Sequence, residues 1–194
     1  MNKQRGLMSK CVLLSVRPQY CKLIANGQKT IDVRKTRPKM DTPFKCYIYC
    51  THDKEHTLFK DWIDPPFVVR EYNIMKGKGV KNVFADNRPW GNANRKVIGE
   101  FVCDRVERMR YPDDGLVDVV DAQMACLTAK EIITYSNGKP LYGWHISALQ
   151  IYDKPMELSE FCKPTMPTGL RYEDDAIKRP PESWRYVEEY DGKR

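Results

Sequence analysis

The stretch that decides the fold reads Gly27-Gln28-Lys29-Thr30-Ile31-Asp32-Val33-Arg34-Lys35. It follows a segment from Pro18 in which apolar residues recur at helical spacing, and Asn26-Gly27 is a typical helix end. Polar and apolar residues then alternate from Thr30, which predicts a strand with Asp32 and Arg34 on one face. Two residues apart in a strand, these side chains lie about 6.7 Å from each other along the chain. A carboxylate and a guanidinium therefore share one small region with Lys29.

The same patterns assign the other elements. We predict further strands over 12–16, 45–51, 96–109, 141–152 and 183–187, and a second helix that begins at the N-cap Thr128 and ends at Asn137-Gly138. This order lacks the regular alternation of strands and helices that a doubly wound sheet requires. We therefore predict an α+β fold, a small and partly closed mixed β-barrel flanked by short helices.

The domain organisation follows from where periodicity is lost. Residues 1–10 are polar and predict a loose N-terminus, and 11–160 form the domain, with an insertion at 52–95 that holds one short helix at 59–62. A proline-rich extension over 161–194 is expected to pack on the same domain. The insertion also contains Lys76-Gly-Lys-Gly79 and Lys81, a flexible basic loop that lacks the ending of a phosphate-binding P-loop.

Composition limits the class of protein. The 194 residues carry 33 Lys and Arg against 26 Asp and Glu, a net charge of +7, which favours an anionic partner, nucleic acid first and nucleotide or phosphate second. Apolar runs such as 11–14 are far shorter than the ~20 residues of a membrane span. Seven scattered cysteines without an export signal predict reduced thiols in a cytoplasmic protein with no membrane association.

Lys29, Asp32 and Arg34 are the candidate site residues. Arg34 can bind a phosphate or a base edge through two parallel hydrogen bonds, Lys29 can supply a point charge, and Asp32 can orient either cation. The alternative interpretation is an exposed edge strand whose charges are solvated.

A pattern Gly-x-Lys-x-x-acid-x-Arg after a short helix resembles the ASCH domain (activating signal cointegrator homology), whose fold is similar to the PUA β-barrel of RNA-modifying proteins. The segments 13–18, 97–101 and 143–146 fit strands of that fold, so the resemblance spans roughly 11–160. It implies a cleft lined by a lysine, an acid and an arginine that holds RNA or a nucleotide. Those residues are Lys29, Asp32 and Arg34 here, although the usual acid is glutamate.

Two strand residues and two flanking cations complete the expected ligand-binding set. We expect Arg17, Lys35 and His145 at the rim of the cleft. The alternative interpretation of His145 is a structural residue held by hydrogen bonds. Trp144 either stacks on a nucleobase or fills the barrel.

Catalysis is the alternative function that the resemblance raises. Some members of the superfamily are amidohydrolases that deacylate a modified, N4-acetylcytidine-like nucleoside through a lysine and a threonine, and in such an enzyme the catalytic residues would be Lys29, Thr30 and Asp32. Asp32 replaces the nucleophilic threonine, which favours binding over catalysis. Another branch cleaves RNA with lysine and tyrosine, for which Tyr47 or Tyr49 are candidates. A third alternative is a protein-interaction module.

Metal binding is the remaining possibility. Cys46, Cys50, His52 and His56 have the spacing C-x3-C-x-H-x3-H. A strand over 45–51 would hold the two cysteines about 13 Å apart, whereas ligands of one zinc lie within about 4 Å of each other. We therefore predict no metal site and no cofactor.

Overall fold

The computed structural model describes residues 10–52, 93–109, 119–165, 175–190 and 192. The predicted helix at 59–62, the basic loop at 76–81, His56 of the zinc pattern and nearly all of the predicted N-terminal segment lie outside these ranges, as does most of the insertion.

Six strands of the described residues form one sheet in the order β2-β5-β4-β3-β1-β6. The strands are β1 Lys10–Val16, β2 Ile31–Arg34, β3 Phe44–Cys50, β4 Lys96–Arg108, β5 Tyr142–Glu157 and β6 Trp184–Glu188. The helices are α1 Pro18–Ala25, α2 Val119–Met124 and α3 Ala129–Ser136, and a 3-10 turn covers Leu158–Glu160. β1 and β3 are parallel, and every other neighbouring pair is antiparallel. The predicted α+β class is confirmed.

The helix ends follow the local chemistry of the sequence. Pro18 occupies the first turn of α1, where its missing N–H leaves no helical bond unmade, and Gly27 follows with a φ of 75°. α3 begins with the predicted capping box between Thr128 and Glu131. Its C-cap Asn137 is left-handed, with a φ of 48°. The predicted helices that begin near Pro18 and Thr128 are confirmed.

Two elements differ from the sequence prediction. α2 has six residues and is too short to show a helical period, so the pattern did not reveal it. β5 continues to Glu157 instead of ending at Tyr152, because its far end pairs with Lys96 and Val97 at the start of β4. The register shifts between Val97 and Gly99, and Pro155 lies in this irregular stretch of β5, where proline is tolerated.

The sheet curls around the main core. Apolar side chains on its inner face, from β1, β3, β4 and β5, pack together with apolar side chains of α1. Trp144, Phe101 and Ile48 are among the largest that are fully buried. The last turn before β6 reaches β1 through Ser15, whose N–H donates to the Ser183 carbonyl at 2.9 Å. The result is the partly closed half-barrel that the sequence predicted.

Two smaller clusters cover the outer face. Over β1 and β3, Tyr47 and Tyr49 pack under Phe161, Ile177 and Val187 of the C-terminal part of the chain. Over β2, Ile31 and Val33 pack against α2 and α3 and the residues that flank them. β3 is therefore buried on both sides, with Cys46, Ile48 and Cys50 facing the main core.

Three further observations concern the described ranges. None of their helices has the length and apolar character to cross a membrane. Within them, no group of three or more His, Cys, Asp or Glu side chains could hold a metal ion. All seven cysteines lie inside these ranges, and no disulfide joins any of them.

Candidate functional site

Asp32 and Arg34 form a buried ion pair on the inner face of β2. The Arg34 Nε donates to Asp32 Oδ2 at 2.6 Å, and the side chains of Arg34 and Asp32 are 9 % and 7 % exposed respectively. β2 is an edge strand, but the interpretation of its charges as solvated is wrong. Curling of the sheet brings the opposite edge over them and removes both groups from water.

The remaining nitrogens of Arg34 bond to that opposite edge. One terminal nitrogen donates to the Ser15 carbonyl at 2.9 Å, and the other donates to the Ser183 carbonyl at 3.1 Å. All three guanidinium nitrogens are therefore engaged, and Arg34 joins β2 to β1 and to the turn before β6. Breaking a buried pair by removing one partner leaves an uncompensated charge, which destabilises by about 3–5 kcal/mol.

Lys29 is also buried, with 3 % of its surface exposed. Its Nζ donates to the Ala125 carbonyl at 2.6 Å, and the N–H of Thr30 donates to the Met124 carbonyl at 2.9 Å. These two carbonyls end α2, so the ammonium stabilises the helix end at which cations are favoured. Burial lowers the pKa of Lys29, and the negative charge of Asp32 opposes this shift.

Two groups adjoin Lys29 that the sequence patterns did not single out. Its Nζ lies 5.2 Å from the ring centre of Tyr20 on α1. Cys126 follows Ala125 with a φ of 50° and is partly exposed. Burial raises the pKa of this thiol, and the neighbouring Lys29 charge opposes the rise.

Exposed cations flank this buried set. Lys35 places its Nζ 4.8 Å from the ring centre of Tyr135 on α3. The Tyr135 residue is 39 % exposed. Burial raises the pKa of Tyr135, the charges of Arg34 and Arg17 oppose that shift, and Asp32 adds to it. The hydroxyl of Tyr135 thus interacts electrostatically with charged residues of β2 and with Arg17, which precedes α1.

We call this region the β2 site. In it, Arg34 pairs with the Asp32 carboxylate, whose charge also acts on Lys29, and Lys35 lies over Tyr135. Two tyrosines from different helices are added to the predicted residues. The members of the β2 site are Arg17, Tyr20, Lys29, Asp32, Arg34, Lys35 and Tyr135. The tyrosines have no local signal in the sequence, because only the packing of α1 and α3 against β2 brings them there.

The two predicted residues on β5 lie differently. Trp144 is opposite Asp32 in the register but is fully buried, 5.7 Å from both Phe44 and Trp184 between ring centres. Its indole nitrogen has no hydrogen-bond partner among the described residues. His145 is opposite Ile31 and therefore faces the other side of the sheet.

His145 has its own charged neighbours there. Its Nδ1 lies 3.0 Å from a terminal nitrogen of Arg105, and its Nε2 lies 3.4 Å from Glu107 Oε2. Burial and the Arg105 charge lower the pKa of His145, while Glu107 opposes the shift. The structure thus separates His145 from the Asp32 carboxylate.

The tyrosines considered for RNA cleavage lie on the outer face of β3. Tyr47 accepts a hydrogen bond from the N–H of Tyr190 at 2.8 Å, and burial raises the pKa of Tyr47. Both rings are covered by the C-terminal part of the chain and lie on the opposite face of the sheet from Asp32.

Comparison with solved structures identifies the fold. The ASCH protein of Zymomonas mobilis aligns with a TM-score of 0.51 at 16 % sequence identity, over 90 % of this chain and 85 % of that one. The chain has the fold of an ASCH domain. A tyrosine-to-phenylalanine variant of the Zymomonas protein aligns with a TM-score of 0.50 at 15 % identity, over 92 % and 91 % of the two chains. A serine-to-alanine variant gives 0.51 at 15 %, over 92 % and 89 %.

The ASCH fold expected from the sequence is confirmed by these alignments. No protein-family model matches the chain. No curated protein matches it either. At such low identity the likeness establishes the fold alone.

Proposed function

We propose that this ASCH-fold chain binds single-stranded RNA or a nucleotide-like anion at the β2 site. The observation that carries the proposal is the exposed Lys35 over the ring of the exposed Tyr135, six residues along the chain from the buried Lys29. Cations that neutralise phosphates and aromatic rings on which bases stack are the two parts of a single-strand binding surface. The net charge of +7 acts in the same direction.

The proposal divides the work among the charged residues. Arg34 already has hydrogen bonds at all three nitrogens, so it supports Asp32 and the sheet instead of binding the ligand. Arg17 and Lys35 are exposed and bind phosphate groups. Lys29 has three N–H donors and uses one on Ala125, so it can bind a polar atom of the ligand.

Salt dependence of binding tests this function. Affinity for a short, labelled oligouridylate should fall steeply between about 50 and 200 mM salt, because neutralised phosphates release counterions. Lys35→Ala should weaken binding and lower the slope of log K against log salt by about 1. Lys154→Ala is the matched control, since this exposed lysine lies on β5 roughly 30 Å along the strand from His145. A flat salt response, or equal effects of the two variants, would contradict the proposal.

Hydrolysis in the same site is the second candidate function. The observation that favours it is the burial of Lys29 beside Asp32, because a lysine with a lowered pKa can act as a general base. Thr30 would then be the candidate nucleophile and Asp32 the group that orients the base. The substrate would be an N4-acetylcytidine-like nucleoside or an RNA phosphodiester.

The variant Lys29→Arg separates the two functions. Arginine keeps the charge but does not give up its proton at any working pH. In the binding proposal, Lys29→Arg largely preserves RNA affinity, and the wild type turns over neither N4-acetylcytidine nor RNA. Turnover by the wild type that is lost in Lys29→Arg, with affinity retained, would make the chain an enzyme.

A further inference from the structure

Residues 35–39 continue from the β2 site as a line of exposed cations. Lys35, Arg37 and Lys39 alternate with Thr36 and Pro38, and all three cationic side chains are exposed. Among the described residues, none of the three forms an ion pair with a carboxylate. Cations gathered without carboxylates create a positive potential that attracts an anionic partner. We call this segment the 35–39 track.

Two cations of the track lie near aromatic rings, and the backbone of the third contacts a tyrosine hydroxyl. Lys35 lies over Tyr135 in the β2 site, and the guanidinium carbon of Arg37 lies 5.9 Å from the ring centre of Tyr142. The backbone N–H of Lys39 donates to the Tyr186 hydroxyl at 2.7 Å. The track therefore runs from α3 past the start of β5 to β6.

A pair of partly exposed aromatic rings on β6 lies next to the far end of the track. The indole nitrogen of Trp184 donates to Thr36 Oγ1 at 2.9 Å, and its ring lies edge-on to Tyr186 with 5.3 Å between centres. Lys10 of β1 places its Nζ 3.6 Å from the ring centre of Tyr186. Aromatic rings and cations thus occur together at both ends of the track.

We infer that the 35–39 track guides a single-stranded nucleic acid from the β2 site to β6. Bases stack at the Trp184 and Tyr186 end, while Lys35, Arg37 and Lys10 neutralise phosphates. The four residue steps from Lys35 to Lys39 span at most about 14 Å, which corresponds to up to about four stacked nucleotides at ~3.4 Å each. This inference rests on the proposed function, because the same strand begins in the β2 site.

The aromatic rings that lie beside the cations favour nucleic acid over an acidic peptide as the ligand. A peptide carboxylate would use the charges alone, whereas stacking of each base on an aromatic ring adds affinity that grows with the number of nucleotides. The dependence of affinity on ligand length is therefore the property to measure.

The test compares uridine monophosphate with oligouridylates of increasing length. For the wild type, affinity should rise at least about tenfold from the mononucleotide to a chain of about four nucleotides and then level off. Arg37→Ala should leave mononucleotide binding unchanged and remove several-fold of that gain. Lys154→Ala, which makes the same charge change away from the track, should retain the gain.

Tryptophan fluorescence supplies a second readout. Stacking at β6 should quench Trp184 with the longer oligonucleotides and not with the mononucleotide, and Trp184→Phe should lose this signal while retaining mononucleotide affinity. A wild type that binds the mononucleotide but gains nothing with length would overturn the track and leave the β2 site standing. A wild type that binds neither ligand would overturn the proposed function as well. Polyglutamate that competes with the same Arg37 dependence would show that the track binds acidic polymers in general and would overturn its assignment to nucleic acid.

Discussion

Replacing Arg34 by methionine should destabilise the fold more than any exposed arginine replacement. The substitution removes the bond to Asp32 at 2.6 Å and the bonds to the carbonyls of Ser15 and Ser183. It also leaves the Asp32 carboxylate, which is 7 % exposed, without its cation. An uncompensated buried charge of this kind reduces the free energy of unfolding by about 3–5 kcal/mol.

That loss is a large part of the stability of a domain, which is about 5–15 kcal/mol in total. For a chain of this size, each kcal/mol shifts the melting temperature by about 2–4 °C, so Arg34→Met should melt about 6–20 °C lower. Urea unfolding followed by circular dichroism measures the free energy directly. Arg108→Met on β4 is the matched control, because the same change is made there at an exposed strand position.

Adding Asp32→Asn to Arg34→Met sharpens the experiment. If the uncompensated charge dominates, the double variant should recover part of the stability lost in Arg34→Met. A loss in Arg34→Met no larger than that in Arg108→Met would refute the reasoning, since the guanidinium would then contribute nothing to joining the two edges of the sheet. A double variant less stable than Arg34→Met would show that the lost hydrogen bonds dominate over the buried charge.

Three further predictions concern other parts of the chain. Burial raises the pKa of Cys103 to about 12 from an ordinary value of 9.0, so the folded state keeps a proton that the unfolded state loses. Stability should therefore fall as pH rises above 9, by about 1 kcal/mol for this thiol between pH 8 and 10, and urea unfolding of Cys103→Ala should show a smaller fall. Arg105→Ala should raise the pKa of His145, because it removes a charge that lowers it, and an NMR titration of the imidazole in which the pKa did not move would contradict the assigned contact. Thr128→Ala should lower the free energy of unfolding by about 0.5–2 kcal/mol through loss of the capping box, whereas Thr128→Ser should retain most of it.

Local patterns in the sequence were enough to predict most of the secondary structure. The ends of α1 and α3 follow from single residues with strong capping preferences, Pro18 and Thr128 among them. Strand alternation likewise places Asp32 and Arg34 on one face, and the bond between them confirms that prediction. Helix ends and strand alternation depend on residues that are neighbours in the chain, so the local sequence pattern is enough to predict them.

The partners of the buried charges depend on closure of the sheet and could not be predicted in this way. Arg34 reaches Ser183 across 149 residues, and Lys29 reaches Ala125 across 96. Each of these bonds is accepted by a backbone carbonyl, which every residue possesses, so the sequence gives no signal for it. Closure of the sheet also buries Asp32, although β2 is an edge strand. From the sequence alone, solvated charges on an exposed edge strand remained an alternative.

The bond from Arg34 to the Ser183 carbonyl makes the order of synthesis matter. Residues 27–35 leave the ribosome before the carbonyl that holds Arg34 in place, which comes more than 140 residues later, just before β6. Until that segment arrives, the guanidinium and its carboxylate face water at an unpaired edge. A nascent or prematurely terminated chain that stops at residue 160 has every charged residue of the β2 site and no closed sheet to hold them. The buried ion pair is therefore closed off from water only after the chain has been made as far as Ser183.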